Sequence, residues 1–167
     1  IALDPIDGHV IDPFDGQGDL KRGVLRAVGD AGERFREDGL RALRAARFSA
    51  TLGVSIDPET ERAMGTSEAL DTFRKVSLER VREEWVKAMA AAKPSVAFEA
   101  MRRTGLLAIT CPELIESVGC AQNRHHRFDV WGHAMACLDA SEADVLLRFA
   151  ALFHDVGKPL GKGHAEK

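Results

Sequence analysis

Four side chains at three-residue intervals, Asp38, Arg41, Arg44 and Arg47, have the chemistry to recognise a planar anion. On a helix, which turns by about 100° per residue, the first three lie on one polar ridge. An arginine offers several donors in one plane and a carboxylate offers only acceptors. Asp38 with Arg41 could therefore match the edge of a nucleobase, and the later arginines could hold phosphate. A helix decorated with surface ion pairs, worth about 0.5 kcal/mol each, fits the same spacing.

Arg47 differs from the other arginines because it shares the apolar side of this helix. Leu40, Leu43 and Arg47 form an i, i+3, i+7 set. The two leucines are expected to face the core, and the guanidinium beside them is expected to have a partner, since an unpaired charge there is costly to bury.

A second set of residues, His133 and the adjacent pair His154 and Asp155, has the chemistry of a divalent metal site. Neutral imidazoles and a carboxylate suit manganese, iron, nickel or zinc. Cys137 comes four residues after His133 and could reach the same site, although a small core residue is the favoured interpretation. His125 and His126 lie in a polar stretch that fits an exposed loop as well as a binding loop.

The elements that position these residues are predicted to be mostly helical. Leu147, Ala151 and His154 share one helix face, which is expected to carry His154 inward. A β-hairpin is predicted over residues 1–12, where two short apolar runs flank a Pro-Ile-Asp-Gly turn. Helices are predicted over residues 21–28, 36–52, 57–64, 67–73, 77–92, 95–104, 130–138 and 142–154, with Gly53 and Gly105 as stops and Asp57 as a cap before proline.

Composition limits what the chain can be. With 167 residues, 45% of them hydrophobic, it can bury a core. The net charge of −3 argues against general coating of nucleic acid, so any RNA contact must use local basic patches. Three cysteines without a Cys-x-x-Cys pair favour a reduced, cytoplasmic setting, and no apolar run is long enough to span a membrane.

Segments 37–48, 11–20 and 76–84 resemble three motifs that one family carries in the same order along its chain. The first is Glu-Asp-x-x-Arg-x-x-Arg-x-x-Arg-Phe, the second a flexible hinge, and the third a neck segment that supports the first. The chain is similar in this way, over essentially its whole length, to the class II (bacterial-type) tRNA nucleotidyltransferase and poly(A) polymerase family, the CCA-adding enzymes.

The resemblance implies a mostly α fold. It divides the chain into the edge of a nucleotidyltransferase head with a hairpin remnant and hinge (residues 1–23), a helical neck (24–110) and the start of an HD-type helical domain (111–167). The chain is therefore expected to be an internal fragment. In the hinge the family usually has two glycines where this chain has Asp15 and Gly16, so Gly16 is expected to supply any positive φ.

The resemblance also assigns roles to single residues. It implies that Asp38 and Arg41 pair with the base of CTP or ATP, and that Arg44 and Arg47 contact or support the triphosphate. Glu79 and Arg80 then support the nucleotide site. The implied partner is the 3′ end of tRNA, which receives CMP and AMP, or AMP alone, without a nucleic-acid template.

Residues 125–133 and 152–159 resemble the HD phosphohydrolase domain that several CCA-adding enzymes carry after the neck. This resemblance implies that His133, His154 and Asp155 hold Mn²⁺, Ni²⁺ or Fe²⁺; the family's last aspartate would lie beyond this chain. A domain that keeps the fold without the metal is the competing interpretation. A metal-dependent phosphohydrolase and a non-enzymatic RNA-binding module are the alternative functions.

The carboxylates required for nucleotidyl transfer are missing from the sequence. Such transfer uses Mg²⁺ held by two nearby aspartates behind a Gly-Ser turn, and no Gly-Ser with Asp-x-Asp occurs here. The early aspartates lack the spacing of a calcium loop and are predicted to be turn residues. The fragment is thus expected to be inactive alone in nucleotide addition.

Overall fold

The computed structural model describes residues 1–121 and 128–162, so the prediction for His125 and His126 falls outside the described residues. Two short strand pairs occur in this part of the chain. β1 (Ala2–Leu3) and β2 (Val10–Ile11) pair antiparallel, which confirms the predicted hairpin. β3 (Val24–Leu25) and β4 (Ser55–Ile56) pair parallel.

Helices form most of the described chain, which confirms the mostly α fold class. In chain order they are α1 (Gly16–Arg22), α2 (Ala31–Glu37), α3 (Leu40–Leu52), α4 (Pro58–Met64), α5 (Ser67–Phe73), α6 (Leu78–Met89), α7 (Ser95–Thr104), α8 (Leu106–Thr110), α9 (Pro112–Ile115), α10 (Val130–Ala140), α11 (Val145–Phe153) and α12 (Lys158–Lys162).

Helix α3 lies at the centre of the molecule, where it packs against α6 and α7. Its buried face carries Leu40, Leu43 and small alanines, which allow the neighbouring helices to approach closely. The expectation that the two leucines face the core is confirmed. The ridge that carries Arg44 is consequently turned outward.

The predicted helix over residues 36–52 is wrong at its start, because the helical conformation is broken between α2 and α3. Asp38 is extended, with φ −150° and ψ 109°, and α3 begins only at Leu40. Gly39 is buried against the end of α5, where a Cβ atom would lie 2.4 Å from the backbone nitrogen of Phe73. Only glycine fits this close approach, and it places the break.

The predicted helix over residues 21–28 is also wrong. Helix α1 ends at Arg22, because Gly23 adopts a left-handed conformation (φ 65°) and its N–H donates to the carbonyls of Asp19 and Leu20. The next residues form β3 and pair with β4, a long-range contact that local periodicity does not reveal.

The prediction that Gly16 supplies the positive φ of the hinge is wrong. The left-handed backbone belongs to Asp15 (φ 54°), whereas Gly16 begins α1. The carboxylate of Asp12 accepts hydrogen bonds from the N–H groups of Gly16 and Gln17, both at 2.8 Å. Asp12 thus orders this turn, as predicted for the early aspartates.

Helices with strong local signals match their predictions closely. Asp57 caps α4 by accepting from the N–H of Thr60, and Gly105 ends α7 with φ 82°. The helix predicted over residues 77–92 is shorter, and α11 begins three residues later than its predicted start. Leu78, expected on the apolar face, is 80% exposed because it occupies the first position of α6.

Four hydrogen bonds, made by Arg148 and Asp139, join α11 and α10 to α6 and α7. The buried Arg148 donates through Nη1 to the carbonyls of Met89 and Ala91, where α6 ends. Asp139 accepts from the N–H and hydroxyl of Ser95 at 3.0 and 2.7 Å, at the start of α7. Helix-end carbonyls attract cations and helix-start N–H groups attract anions, so both contacts complement the helix dipoles.

Candidate functional site

Asp38 is held by one partner on each carboxylate oxygen. Its Oδ1 accepts from the N–H of Leu40 at 3.0 Å, which satisfies a free donor at the start of α3. Its Oδ2 accepts from Nη2 of Arg80 on α6 at 3.2 Å. The break before α3 therefore gives Asp38 a defined orientation, and Arg80, which the resemblance predicts as a support residue, supplies one of its two contacts.

Arg41 is held by groups on α2 rather than by Asp38. Its Nη1 donates to the carboxylate of Glu37 and, at 3.1 Å, to the carbonyl of Arg34. The hydrogen bond from Arg41, with the charge of Arg34, holds the pKa of Glu37 below its ordinary value. Arg41 therefore forms an i, i+4 ion pair with Glu37 that spans the break between α2 and α3, rather than an ion pair within one helix.

The two later arginines have different surroundings. Arg44 is exposed, with its guanidinium carbon 5.7 Å from the ring centre of Phe48. Arg47 donates through Nε to the buried Glu84 at 2.5 Å and lies 3.8 Å from the same ring centre. The expectation of a partner for Arg47 is confirmed, and in this structure Arg47 joins α3 to α6 while Arg44 faces outward.

Glu79 is exposed at the start of α6, one residue before Arg80. Within the described part of the chain Glu79 forms no ion pair, in contrast to the Arg80–Asp38 contact. The carboxylate that supports the α3 region from α6 is instead Glu84, through Arg47. Sequence reasoning missed Glu84, although its partner Arg47 was identified.

A cleft of about 580 Å³ opens beside α3. Arg41 and Arg44 line it, but Asp38 does not. Further lining comes from the cationic and aromatic side chains of Arg26, Arg34, Phe14, Phe35 and Phe48. Guanidinium groups beside aromatic rings are suited to an anionic ligand that carries a flat ring. Sequence reasoning did not single out Arg26, which follows β3, or Arg34 of α2 as ligand-binding residues.

Three potential metal ligands meet where α10 passes the end of α11. His133, Cys137 and His154 each offer one ligand atom, and these atoms all lie within 4.8 Å of one another. The rings of His133 and His154 have centroids 5.2 Å apart. The structure therefore brings together both predicted histidines and adds a thiol.

Asp155, the third predicted ligand, is also close. Its Oδ2 lies 3.2 Å from Nε2 of His154 and 3.9 Å from Nε2 of His133, and it accepts from Nζ of Lys158 at 2.6 Å. Burial opposes ionisation of Asp155, but the Lys158 hydrogen bond and the adjacent charges outweigh it and lower its pKa. The donor set of two imidazoles, a thiol and a carboxylate fits a divalent transition metal.

Two details of this cluster differ from the sequence predictions. The face shared by Leu147, Ala151 and His154 does not point inward: Leu147 is 46% exposed, and His154 is exposed because it follows the last turn of α11. Cys137 is half-buried with Sγ 3.5 Å from Nε2 of His133, so it belongs to the cluster. Its i, i+4 spacing from His133 was the signal that identified it.

No helix in the described ranges is long and apolar enough to cross a membrane. A family model described as the probable RNA- and SrmB-binding site of polymerase A matches residues 53–117. This segment contains α4 to α9 and therefore most of the helices that surround α3.

Known proteins are similar to the chain over most of its length. The A-adding tRNA nucleotidyltransferase of Deinococcus radiodurans is 41% identical over 162 residues, which cover 90% of this chain and 36% of that protein. The multifunctional CCA protein of Laribacter hongkongensis is 41% identical over 159 residues, or 92% of this chain and 38% of that protein. The CCA-adding enzyme of Lactobacillus gasseri is 48% identical over 101 residues, or 60% of this chain and 25% of that protein.

Solved structures agree in fold. A tRNA-processing enzyme in an apo form matches 96% of this chain and 44% of its own, with a TM-score of 0.64 and 22% identity. The chain spans less than two fifths of the length of the first two relatives. The first two relatives each match 90% or more of this chain at 41% identity, and we conclude that the chain belongs to the tRNA nucleotidyltransferase and poly(A) polymerase family.

Proposed function

We propose that this chain is the part of a template-independent tRNA nucleotidyltransferase that selects CTP or ATP and contacts the 3′ end of tRNA. One observation carries the proposal. Asp38 is held in position by Arg80 and Arg41 is held by Glu37, next to a cleft lined by arginines. Rigidly held polar groups discriminate between ligands better than mobile ones, because a mismatched group leaves them unpaired.

The hydrogen-bonding pattern of these groups suits two of the four bases. Cytosine and adenine carry an exocyclic amino group where uracil and guanine carry a carbonyl oxygen. Asp38 supplies acceptors for the amino group. Within the described residues the hydrogen bonds of Arg41 all involve Nη1, which leaves its other N–H groups for a ring nitrogen or carbonyl of the base. Uracil and guanine would instead place a carbonyl oxygen, which is an acceptor, against the acceptor oxygens of Asp38.

Phosphate binding is proposed for the arginines of the cleft. Arg44 is exposed on the α3 ridge, and Arg26 and Arg34 face the same space. A triphosphate would neutralise charges there that are only partly paired with carboxylates. We assign Arg47, which is held by Glu84, to support of α3, together with Arg80; Glu79 stays a predicted support residue of the same α6 turn.

The domain boundaries at residues 23 and 110 stay part of the proposal. Residues 24–110 would read the nucleotide, and the RNA-binding match over residues 53–117 supports the proposal that tRNA contact lies mainly in this neck. Transfer itself would use Mg²⁺ and aspartates of the head, since the sequence contains no Asp-x-Asp pair. The chain alone is proposed to bind nucleotide weakly and to polymerise nothing.

Binding of four nucleotides to the 167-residue chain tests this proposal. Isothermal titration should give lower Kd values for CTP and ATP than for UTP and GTP. Arg41→Ala should weaken CTP and ATP about tenfold, the discrimination expected of one well-placed pair of hydrogen bonds. Arg62→Ala on α4 is the matched control, because Arg62 is exposed and its Nε donates within its own helix. Equal affinity for all four nucleotides would overturn the proposal.

A second candidate function, metal-dependent phosphoester hydrolysis, is favoured by the convergence of His133, His154 and Asp155. A bound divalent ion would supply Lewis-acid activation of a phosphate oxygen. His133 and His154 would hold the ion through ring nitrogens, and Lys158 would keep Asp155 ionised beside them. Elemental analysis after exposure to Mn²⁺ or Ni²⁺ tests this candidate, which fails if the purified chain retains neither metal.

A further inference from the structure

The thiol of Cys137 lies among the predicted metal ligands rather than in the core. It is on α10, one turn after His133, so the two side chains project from the same face. Its Sγ lies 3.5 Å from Nε2 of His133, and His154 offers a ring nitrogen within 4.8 Å of both residues. The distances therefore describe a two-nitrogen, one-sulfur cluster on two helices.

The spacing of this cluster fits a single ion. Zinc binds thiolate sulfur at about 2.3 Å and imidazole nitrogen at about 2.0 Å, so tetrahedral coordination separates the two atoms by about 3.6 Å. The observed 3.5 Å between Sγ of Cys137 and Nε2 of His133 agrees with that separation. The 3.2 Å between Nε2 of His154 and Oδ2 of Asp155 also fits two ligands of one ion.

The carboxylate of this cluster is shared with a cation. Lys158 donates to Oδ2 of Asp155 at 2.6 Å, the same oxygen that lies nearest both histidines. An ion bound there must compete with Lys158 for that oxygen. Cys137, in contrast, is contacted at its sulfur by the His133 ring. The thiol is thus the stronger candidate for a third ligand, and it is soft where the carboxylate is hard.

We propose that Cys137 is a direct metal ligand together with His133 and His154, and that it gives the centre a preference for Zn²⁺ or Co²⁺ over Mg²⁺. The inference rests on the proposed metal centre. On binding, the thiol loses its proton to solvent and both imidazoles bind as neutral ligands. The half-buried thiol and exposed His154 leave the cluster accessible to an ion from solvent.

Cobalt spectroscopy on the 167-residue chain tests the proposal. Co²⁺ bound by nitrogen and oxygen shows visible ligand-field bands, whereas a thiolate ligand adds a charge-transfer band in the near ultraviolet. Titration of the wild-type chain should produce both signals together, and Zn²⁺ should displace them while excess Mg²⁺ should not. Cys137→Ser should remove the charge-transfer band and weaken Zn²⁺ binding by at least about tenfold, the lower end of the losses typical of outer-shell partners of metal ligands.

The control variants are Cys111→Ser and Cys120→Ser. Both residues are free cysteines of the same chain, and Cys111 contacts Glu113 on α9 instead of the histidines. Both variants should retain both signals. Circular dichroism of each variant, and of Cys137→Ala as a second replacement, checks that helix content is unchanged.

The outcomes separate this inference from the metal centre on which it rests. Ligand-field bands without a charge-transfer band in the wild-type chain would overturn the role of Cys137 and leave the histidine centre intact. Absence of both signals would overturn the metal centre and the inference together. A charge-transfer band that survives in Cys137→Ser but disappears in Cys120→Ser would assign the thiolate to another residue and contradict the proposal.

Discussion

The α3 site, which consists of Asp38, Arg41 and the cleft beside α3, and the metal-ligand cluster are assembled in different ways. Asp38 and Arg41 are fixed by charged or backbone groups, and the groups that hold Arg41 lie on the adjacent helix α2. The cluster joins ligands from α10 and the end of α11, two helices that pack against each other and are hydrogen-bonded to α7 and α6 respectively. The first site therefore combines a local contact of Arg41 with one long-range contact of Asp38, and the second depends on the docking of α10 and α11.

The largest expected effect separates the two sites by removing that docking. Arg148→Met keeps the side chain's bulk but leaves the carbonyls of Met89 and Ala91 without their donor. Because hydrogen bonds from a buried charged group are worth up to about 3 kcal/mol, we expect a loss of about that size in the free energy of unfolding. Urea denaturation measures it, and metal binding should fall while nucleotide binding in the folded protein persists. If Arg148→Met abolished nucleotide binding together with metal binding, the two sites would not be assembled independently.

Gly39→Ala is expected to impair the α3 site and to leave the metal-ligand cluster intact, the opposite of the effect of Arg148→Met. Its Cβ would lie 2.4 Å from a backbone atom of Phe73, so α3 and α5 must move apart at a cost of about 2 kcal/mol. Nucleotide affinity should fall because Asp38 moves with the break, and cobalt binding should be unchanged. Gly32→Ala in α2 is the control, since its nearest contact is a side chain at 3.3 Å and alanine favours helix. Equal destabilisation by the two variants would contradict the proposed role of the close contact.

Arg80→Ala tests how far Asp38 depends on one ionic partner. The pair is solvent-exposed, so its loss should change the free energy of unfolding by only about 0.5 kcal/mol. Affinity for CTP and ATP should nevertheless fall several-fold, because Asp38 loses its orientation. Arg82→Ala on the same helix, also exposed, should leave affinity unchanged. If both variants bind like the wild type, Arg80 has no positioning role.

The smallest expected effect is the loss of the Glu37–Arg41 contact at acidic pH. The pKa of Glu37 is lowered chiefly by its hydrogen bond from Arg41, so the contact contributes fully above the unfolded pKa of about 4.5 and is lost as pH falls through the lower folded value. Carbon NMR of the Glu37 carboxyl group should show this depressed titration. Arg41→Ala should return the pKa of Glu37 toward its ordinary value; an unchanged titration would show that Arg41 is not its partner in solution.

Features with a local chemical cause were predictable from the sequence. The Asp57 cap and the Gly105 stop depend on residues within one turn, and both were identified. The break at Gly39 depends on the backbone of Phe73, which is 34 residues away, and the β3–β4 pair joins segments about 30 residues apart. Neither has a periodic signal. Such long-range contacts were missed even though the fold class was correct.

The same distinction applies to the candidate sites. Asp38, Arg41 and the two histidines became candidates through their residue types and spacing together with the family resemblance. The partner of Arg47 was harder to identify, because Glu84 lies on α6 and contacts Arg47 only when α6 packs against α3. Lys158 is a local i, i+3 neighbour of Asp155, but it was not recognised as its partner. Cys137 had the correct spacing, but a thiol at such a position is more often a core residue, so only the distance to His133 revealed its surroundings.

Nucleotide incorporation by the intact protein tests the central claim, base selection by Asp38 and Arg41, most directly. The substrate is a tRNA that lacks its 3′-terminal residues, and CTP, ATP, UTP and GTP compete as donors. We predict that Arg41→Ala abolishes the discrimination in favour of CTP or ATP while cobalt binding at the metal-ligand cluster is retained. Unchanged incorporation of both nucleotides with unchanged exclusion of UTP and GTP would contradict the claim.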